Sequence, residues 1–155
     1  MKSLNTISMK DRDWLQQAIE LSRNCPPSQK AFSVGAIICG INGELIASGY
    51  SREQSSNEHA EETAIRKALE QGKDLSGATI YSSLEPCSPR LSGKASCTDQ
   101  IIYSGIKRVV FALHEPPVFV VCNGAERLRE HNIEAIIMDE LANLVKEINQ
   151  PVLTH

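Results

Sequence analysis

Asn42-Gly43 constrains this 155-residue chain more than any other short stretch. It lies between two apolar runs of strand length, Ser33 to Cys39 and Glu44 to Tyr50. Asn-Gly favours the left-handed backbone of tight hairpin turns, so the two runs are expected to pair antiparallel. A different pattern follows. A helical stretch runs from near His59 to about Gln71 and is stopped by Gly72, and a strand runs from Ala78 to Ser83. Next come a helix over Thr98 to Ser104 with Gly105 as its C-cap, and a strand over Arg108 to Leu113. A helix over Ala125 to His131, a strand over Ile133 to Met138 and a closing helix over Asp139 to Asn149 complete the alternation. Alternating helices and strands imply parallel strands joined by crossovers. A first helix over Lys10 to Asn24, carrying Trp14, Leu15, Ala18, Ile19 and Leu21 and ended by Pro26-Pro27, precedes the hairpin. The expected fold is α/β, a three-layer α/β/α sandwich around a mixed five-stranded sheet. No repeat or linker is visible, so residues 1–155 read as one domain, large enough for a real core.

The residues that carry chemistry sit at element boundaries. His59-Ala60-Glu61 opens the second helix, Pro86-Cys87 follows the third strand, and Cys97 stands at or just before the next helix. One imidazole and two thiolates suit zinc, one ion per chain, and three protein ligands leave a fourth position for water. Each helix N-terminus adds a positive end that favours thiolate over thiol. Glu61, two residues after His59, points elsewhere around the helix, so it is free to move protons as the catalytic acid–base. A zinc-stabilised binding module is the non-enzymatic alternative, but a structural site takes a fourth protein ligand and has no use for a free carboxyl group. Cys25, Cys39 and Cys122 read as core or turn residues, His114 and His131 as surface, and His155 as a tail residue.

Charge and cysteine usage narrow the setting. The net charge is −3, with no basic stripe, so nucleic acid is not an expected partner. No stretch is long and apolar enough to span a bilayer, and Met1 to Lys10 lacks the apolar centre of a signal peptide. The five cysteines, an odd number, fit a reducing, cytoplasmic location better than a disulfide framework.

Taken together, these stretches resemble the cytidine/deoxycytidylate deaminase superfamily over nearly the whole chain. Within it they are most similar to the deaminase domain of the bifunctional riboflavin-biosynthesis protein. The similarity rests on Val34-Gly35-Ala36, His59-Ala60-Glu61, Gly77-Ala78-Thr79, Leu84-Glu85-Pro86-Cys87-Ser88 and Gly105-Ile106-x-Arg108-Val109-Val110. Most of the superfamily spaces its two cysteines as Cys-x-x-Cys. Here residues 88–96 separate them, and the wide spacing is the riboflavin-type feature. The resemblance implies a cytidine deaminase-like fold and zinc held by His59, Cys87 and Cys97, with Glu61 as proton shuttle. It further implies hydrolytic loss of an exocyclic amine from a small aminopyrimidine, diaminohydroxyphosphoribosylaminopyrimidine in that branch, and assembly as a homodimer or homotetramer. No reductase-like segment follows, so a riboflavin role would call for a separate reductase.

The chain departs from that branch in substrate-facing segments. Ala31, Phe32 and Ser33 replace its Asn-Pro, Glu62-Thr63-Ala64-Ile65 replaces its Val-x-Ala-Leu, and Glu115-Pro116 its Asp-Pro. Phe32-Ser33-Val34-Gly35-Ala36 instead resembles the Phe-x-Val-Gly-Ala of cytidine deaminases, and Glu53 falls near an acid that binds ribose in that group. A cytidine-type nucleoside, a free base or a specialised metabolite therefore stays open as the substrate. Pocket candidates are Phe32 for stacking on a heterocycle, Ser33 beside it, and Glu53. Ser83 and Glu85, through their backbone carbonyls, and Arg90 and Lys94, for a phosphate, complete the set.

Overall fold

The computed structural model describes residues 9–87, 96–117 and 122–153. Helix α1 spans Met9–Leu21 and runs into a 3-10 turn at Ser22–Asn24. Strands β1 (Gly35–Cys39) and β2 (Leu45–Tyr50) form the antiparallel hairpin expected around Asn42-Gly43. Then follow α2 (Ala60–Glu70), β3 (Thr79–Ser82), α3 (Cys97–Ser104), β4 (Arg108–Phe111), α4 (Gly124–Glu130) and β5 (Glu134–Ile137). The expected closing helix is broken: a 3-10 turn at Asp139–Leu141 leads into α5 (Ala142–Ile148), and α6 (Gln150–Leu153) adds a last turn. Gly105 ends α3 at φ 93°, the left-handed C-cap its position predicts.

The sheet order is β2-β1-β3-β4-β5. β1 is antiparallel to both neighbours, whereas β3, β4 and β5 run parallel. The expectation of a mixed five-stranded sheet therefore holds, with the change of direction at β1. Register places Tyr50, Ser82, Phe111 and Ile137 at one sheet edge. That edge holds the C-terminal ends of the parallel strands, where open α/β sheets bind ligands. It also receives the N-termini of α2, α3 and α4, because each helix connects onward from a strand that ends there.

Alternation along β3 separates the two faces of the sheet. The Tyr81 hydroxyl donates to Asp11 of α1 at 2.6 Å, whereas the neighbouring Ser82 hydroxyl meets Glu61 of α2. The α1 face carries a buried charge cluster: Asp11 accepts from Tyr81 and from both terminal nitrogens of Arg108, at 3.0 and 2.7 Å. Arg12 of α1 pairs with Glu140, bringing the C-terminal turn beside α1. One core fills the space on both sides of the sheet, from Leu15 and Ile19 through Ile38, Ile80 and Phe111 to Leu128 and Val145.

Candidate metal centre and active site

His59 is the N-cap of α2 and lies just outside the helix, with φ −88° and ψ 158°. Its backbone N–H donates to the Glu62 carboxylate at 3.0 Å, one arm of a capping box. Cys97 is the first residue of α3, and Ser96 caps that helix by accepting from the Asp99 N–H at 3.0 Å. The expected placement of both ligand candidates at helix starts holds, with His59 one step earlier than a first-turn position.

The fold brings the three side chains together. His59 Nδ1 lies 3.5 Å from Cys87 Sγ and 3.4 Å from Cys97 Sγ, and the three ligand atoms lie within 4.8 Å of one another. Zinc–nitrogen bonds of about 2.0 Å and zinc–sulfur bonds of about 2.3 Å at a tetrahedral angle put nitrogen and sulfur about 3.5 Å apart. Both observed nitrogen–sulfur spacings fit that ion.

Other contacts fix the two cysteines relative to each other. Thr98, fully buried, donates its N–H to the Cys87 carbonyl at 3.2 Å and its hydroxyl to the same carbonyl at 2.6 Å. The Cys97 N–H donates to Cys87 Sγ at 3.4 Å. A thiolate that accepts hydrogen bonds is favoured over the thiol, and the Cys87 thiol is pulled from 9.0 down to about 4, mainly by the Cys97 side chain, then by His59, with the Cys97 N–H adding the smallest part. The start of α4 closes down on the same segment. A Cβ at Gly124 would lie 2.0 Å from the Pro86 carbonyl oxygen, so only glycine permits this approach.

Glu61 is buried beside the cluster, and its carboxyl is pushed above the ordinary range, first by burial and then by the charge on Cys87. Ser82 Oγ lies 2.8 Å from Glu61 Oε2. Glu115, four residues past the end of β4, is also raised, from 4.5 to about 7, by burial and by the charges of Cys87 and Glu61, so it lies within electrostatic reach of the cluster. Ser82 and Thr98 are not among the residues that the sequence singles out. The available signal was strand alternation, which puts a buried polar residue of β3 opposite the helix that carries Glu61.

The other candidates make the following contacts within the protein. Glu85 is a buried acceptor: one carboxylate oxygen takes the Glu115 N–H at 3.1 Å and lies 3.2 Å from the His114 ring, and the other takes the Ala125 N–H at 2.8 Å. It thus ties the ends of β3 and β4 to the start of α4, and His114, exposed as expected, lies against it. Ser83 Oγ accepts from the Gly35 N–H at 3.1 Å. The Glu53 carboxylate binds Lys67, roughly two helical turns from His59 along α2. Phe32 is buried in the core, and its carbonyl accepts from Arg52 at 3.1 Å. Ser33 accepts from Arg52 through its hydroxyl, and its backbone is bracketed by the Asn149 amide. Ser33 also lines a cavity of about 600 Å³ between the 22–30 segment and residues 148–152, and none of His59, Glu61, Cys87 or Cys97 lines it. Arg90, Lys94 and the apolar patch Val118 to Val121 lie outside the described residues.

Comparison with known proteins places this geometry. Residues 8–113 match the family described as the cytidine and deoxycytidylate deaminase zinc-binding region. The chain is 42% identical over 126 residues to a diaminohydroxyphosphoribosylamino-pyrimidine deaminase of Schizosaccharomyces pombe, covering 80% of this chain and 31% of that protein. A protein of the same description from Buchnera aphidicola is 34% identical over 133 residues, covering 83% of this chain and 84% of its own length. The crystal structure of the diaminohydroxyphosphoribosylaminopyrimidine deaminase/5-amino-6-(5-phosphoribosylamino)uracil reductase of Thermotoga maritima superposes with a TM-score of 0.83 at 36% identity, over 94% of this chain and 40% of that one. The chain thus spans less than half the length of the Schizosaccharomyces and Thermotoga proteins. With the mixed sheet, the edge-mounted cluster and the match over residues 8–113, the chain belongs to the cytidine and deoxycytidylate deaminase zinc-binding family.

Proposed function

We propose that this protein is a zinc-dependent hydrolytic deaminase that removes the exocyclic amine of diaminohydroxyphosphoribosylaminopyrimidine. The observation that carries the reading is the ligand set itself. Three donors within 4.8 Å suit an ion with one position left open, and a buried carboxyl group stands beside them. The substrate class is taken from the Schizosaccharomyces and Buchnera relatives, whose names specify it.

His59 Nδ1, Cys87 Sγ and Cys97 Sγ would hold the zinc. When bound, the ion supplies a water made nucleophilic near neutral pH. Glu61 would take a proton from the attacking water beside the ring carbon that bears the amine. It would pass that proton to the adjacent ring nitrogen and carry the remaining hydroxyl proton to the departing amine. One water is consumed, ammonia leaves, and a keto group replaces the amine. Burial raises the affinity of Glu61 for a proton, as a group that must both accept and donate requires.

Phe32 and Ser33, where the riboflavin branch has Asn-Pro, support a second reading, a cytidine-type nucleoside or free base as substrate. Assembly as a homodimer or homotetramer belongs to the same proposal, as does a cytoplasmic setting, for which the five free cysteines are the support. No helix among the described residues is long and apolar enough to cross a membrane.

The deciding experiment measures ammonia release from the zinc-loaded protein on diaminohydroxyphosphoribosylaminopyrimidine, its dephosphorylated form, cytidine and cytosine. Turnover of the first alone is expected. Turnover of cytidine or cytosine alone moves the assignment to the second reading, and no ammonia from any of the four defeats the catalytic reading. Glu61→Gln should retain one zinc per chain and lose about 10²- to 10⁴-fold in kcat.

A further inference from the structure

Ser82 is a fully buried polar residue of β3, and the chemistry described above does not use it. Its hydroxyl oxygen lies 2.8 Å from Glu61 Oε2 and 2.8 Å from the Leu84 carbonyl oxygen. One hydroxyl carries one proton, so at any moment it donates to one of these two acceptors. The position is set by the sheet. Alternation along β3 turns Ser82 toward α2, while Tyr81 turns to α1 and Ser83 accepts from the Gly35 N–H. The hydroxyl is therefore delivered to Glu61 by a rigid, doubly paired strand rather than by a loop.

We infer that Ser82 is a positioning residue for the Glu61 carboxyl group, its hydroxyl anchoring Oε2 so that Oε1 is the oxygen that exchanges protons. The anchor serves the carboxylate, and it serves the acid protonated on Oε1, because the carbonyl oxygen of a carboxylic acid still accepts. It thus keeps the carboxyl plane in one orientation through the cycle. The Leu84 carbonyl keeps the buried hydroxyl paired whenever it swings away from Glu61, so neither orientation strands a polar group. The inference rests on the proposed role of Glu61 as proton shuttle.

The test compares Ser82→Thr, which keeps the hydroxyl, with Ser82→Val, which has the same shape without it, both zinc-loaded and assayed for ammonia release on the substrate that the unmodified protein turns over. Ser82→Val is expected to hold one zinc per chain, to lose about ten- to a hundredfold in kcat, and to keep KM within about twofold. Ser82→Thr should recover most of the loss. Adding Ser82→Val to Glu61→Gln should cost nothing further, because the two residues act as a unit. Equal kcat for the Thr and Val variants, or a full additional loss in the double variant, overturns the inference. Ser82→Ala, which adds no bulk to the core, reads the same contrast if the Val variant does not fold. If Glu61→Gln itself remains active, the shuttle reading fails first. If Glu61→Gln is inactive and Ser82→Val is not impaired, only the positioning role fails.

Discussion

At the scale of single residues, one cysteine carries a clear electrostatic signature. Cys87 accepts from the Cys97 N–H and stands 3.5 Å from the His59 ring, and its thiol is pulled down to about 4. In the zinc-stripped protein, the ultraviolet absorbance of its thiolate should persist down to about pH 4 and be missing in Cys87→Ser. Disappearance of that signal near pH 9 would remove the depressed value. The stability consequence has a definite sign. A depressed thiol contributes stability that is present above its unfolded value near 9 and lost as pH falls through about 4. Stripped protein should therefore lose stability relative to Cys87→Ser as the pH is lowered across that window. Glu115 works in the opposite sense. Its raised carboxyl favours the folded state at low pH, and that contribution fades as pH rises through about 7.

At the scale of elements, three helix starts and two strand ends are locked at one sheet edge by a few backbone contacts. Thr98 bonds the Cys87 carbonyl from α3, Glu85 bonds the start of α4, and Gly124 lets α4 touch the Pro86 carbonyl. A methyl group at Gly124 meets backbone, which cannot rotate away as a side chain could. Gly124→Ala should cost about 1–3 kcal/mol in urea denaturation and loosen zinc retention, since Pro86-Cys87 must shift to make room. Unchanged stability together with unchanged zinc affinity would mean that α4 does not press on the ligand segment. The element boundaries were largely legible. The 3.6-residue stripe of α1 and the Asn-Gly turn are local signals, and both appear where the pattern puts them. The closing helix expected over Asp139 to Asn149 is broken at its start, because Met138, just past β5, keeps its N–H on the Phe111 carbonyl and the chain must turn before a helix begins.

For the molecule as a whole, the two faces of the sheet divide the work. The α2 face carries the His59, Cys87 and Cys97 cluster at its edge, and the α1 face carries the Asp11, Tyr81 and Arg108 network. Asp11 joins α1 to β3 and β4 across 70 and 97 residues of sequence, so it stabilises tertiary rather than local structure. Asp11→Ala would leave the Arg108 guanidinium half-enclosed with its main partner gone. A loss of about 2–3 kcal/mol in urea denaturation is expected, below the range for fully buried pairs because Arg108 is partly exposed. Zinc content should stay at one per chain, because the network lies on the opposite face. A change below about 0.5 kcal/mol would place the pair among ordinary surface ion pairs.

The amino-acid sequence by itself determined the order of helices and strands, the hairpin, and the candidate ligands His59, Cys87 and Cys97 with Glu61 beside them. Those features are encoded by residue type and short-range spacing, which local physics reads directly. It did not disclose that Glu53, Ser83 and Glu85 engage their side chains with the protein's own groups, nor that Ser82 meets Glu61 and Thr98 holds the Cys87 carbonyl. Those facts depend on which strand lies beside which and on the register between them. A one-residue slip of β3 would exchange Ser82 for Tyr81 opposite Glu61 and turn the hydroxyl to the other face. Only the packed sheet decides that, because pairing across the sheet is a contest among long-range contacts that no single segment contains.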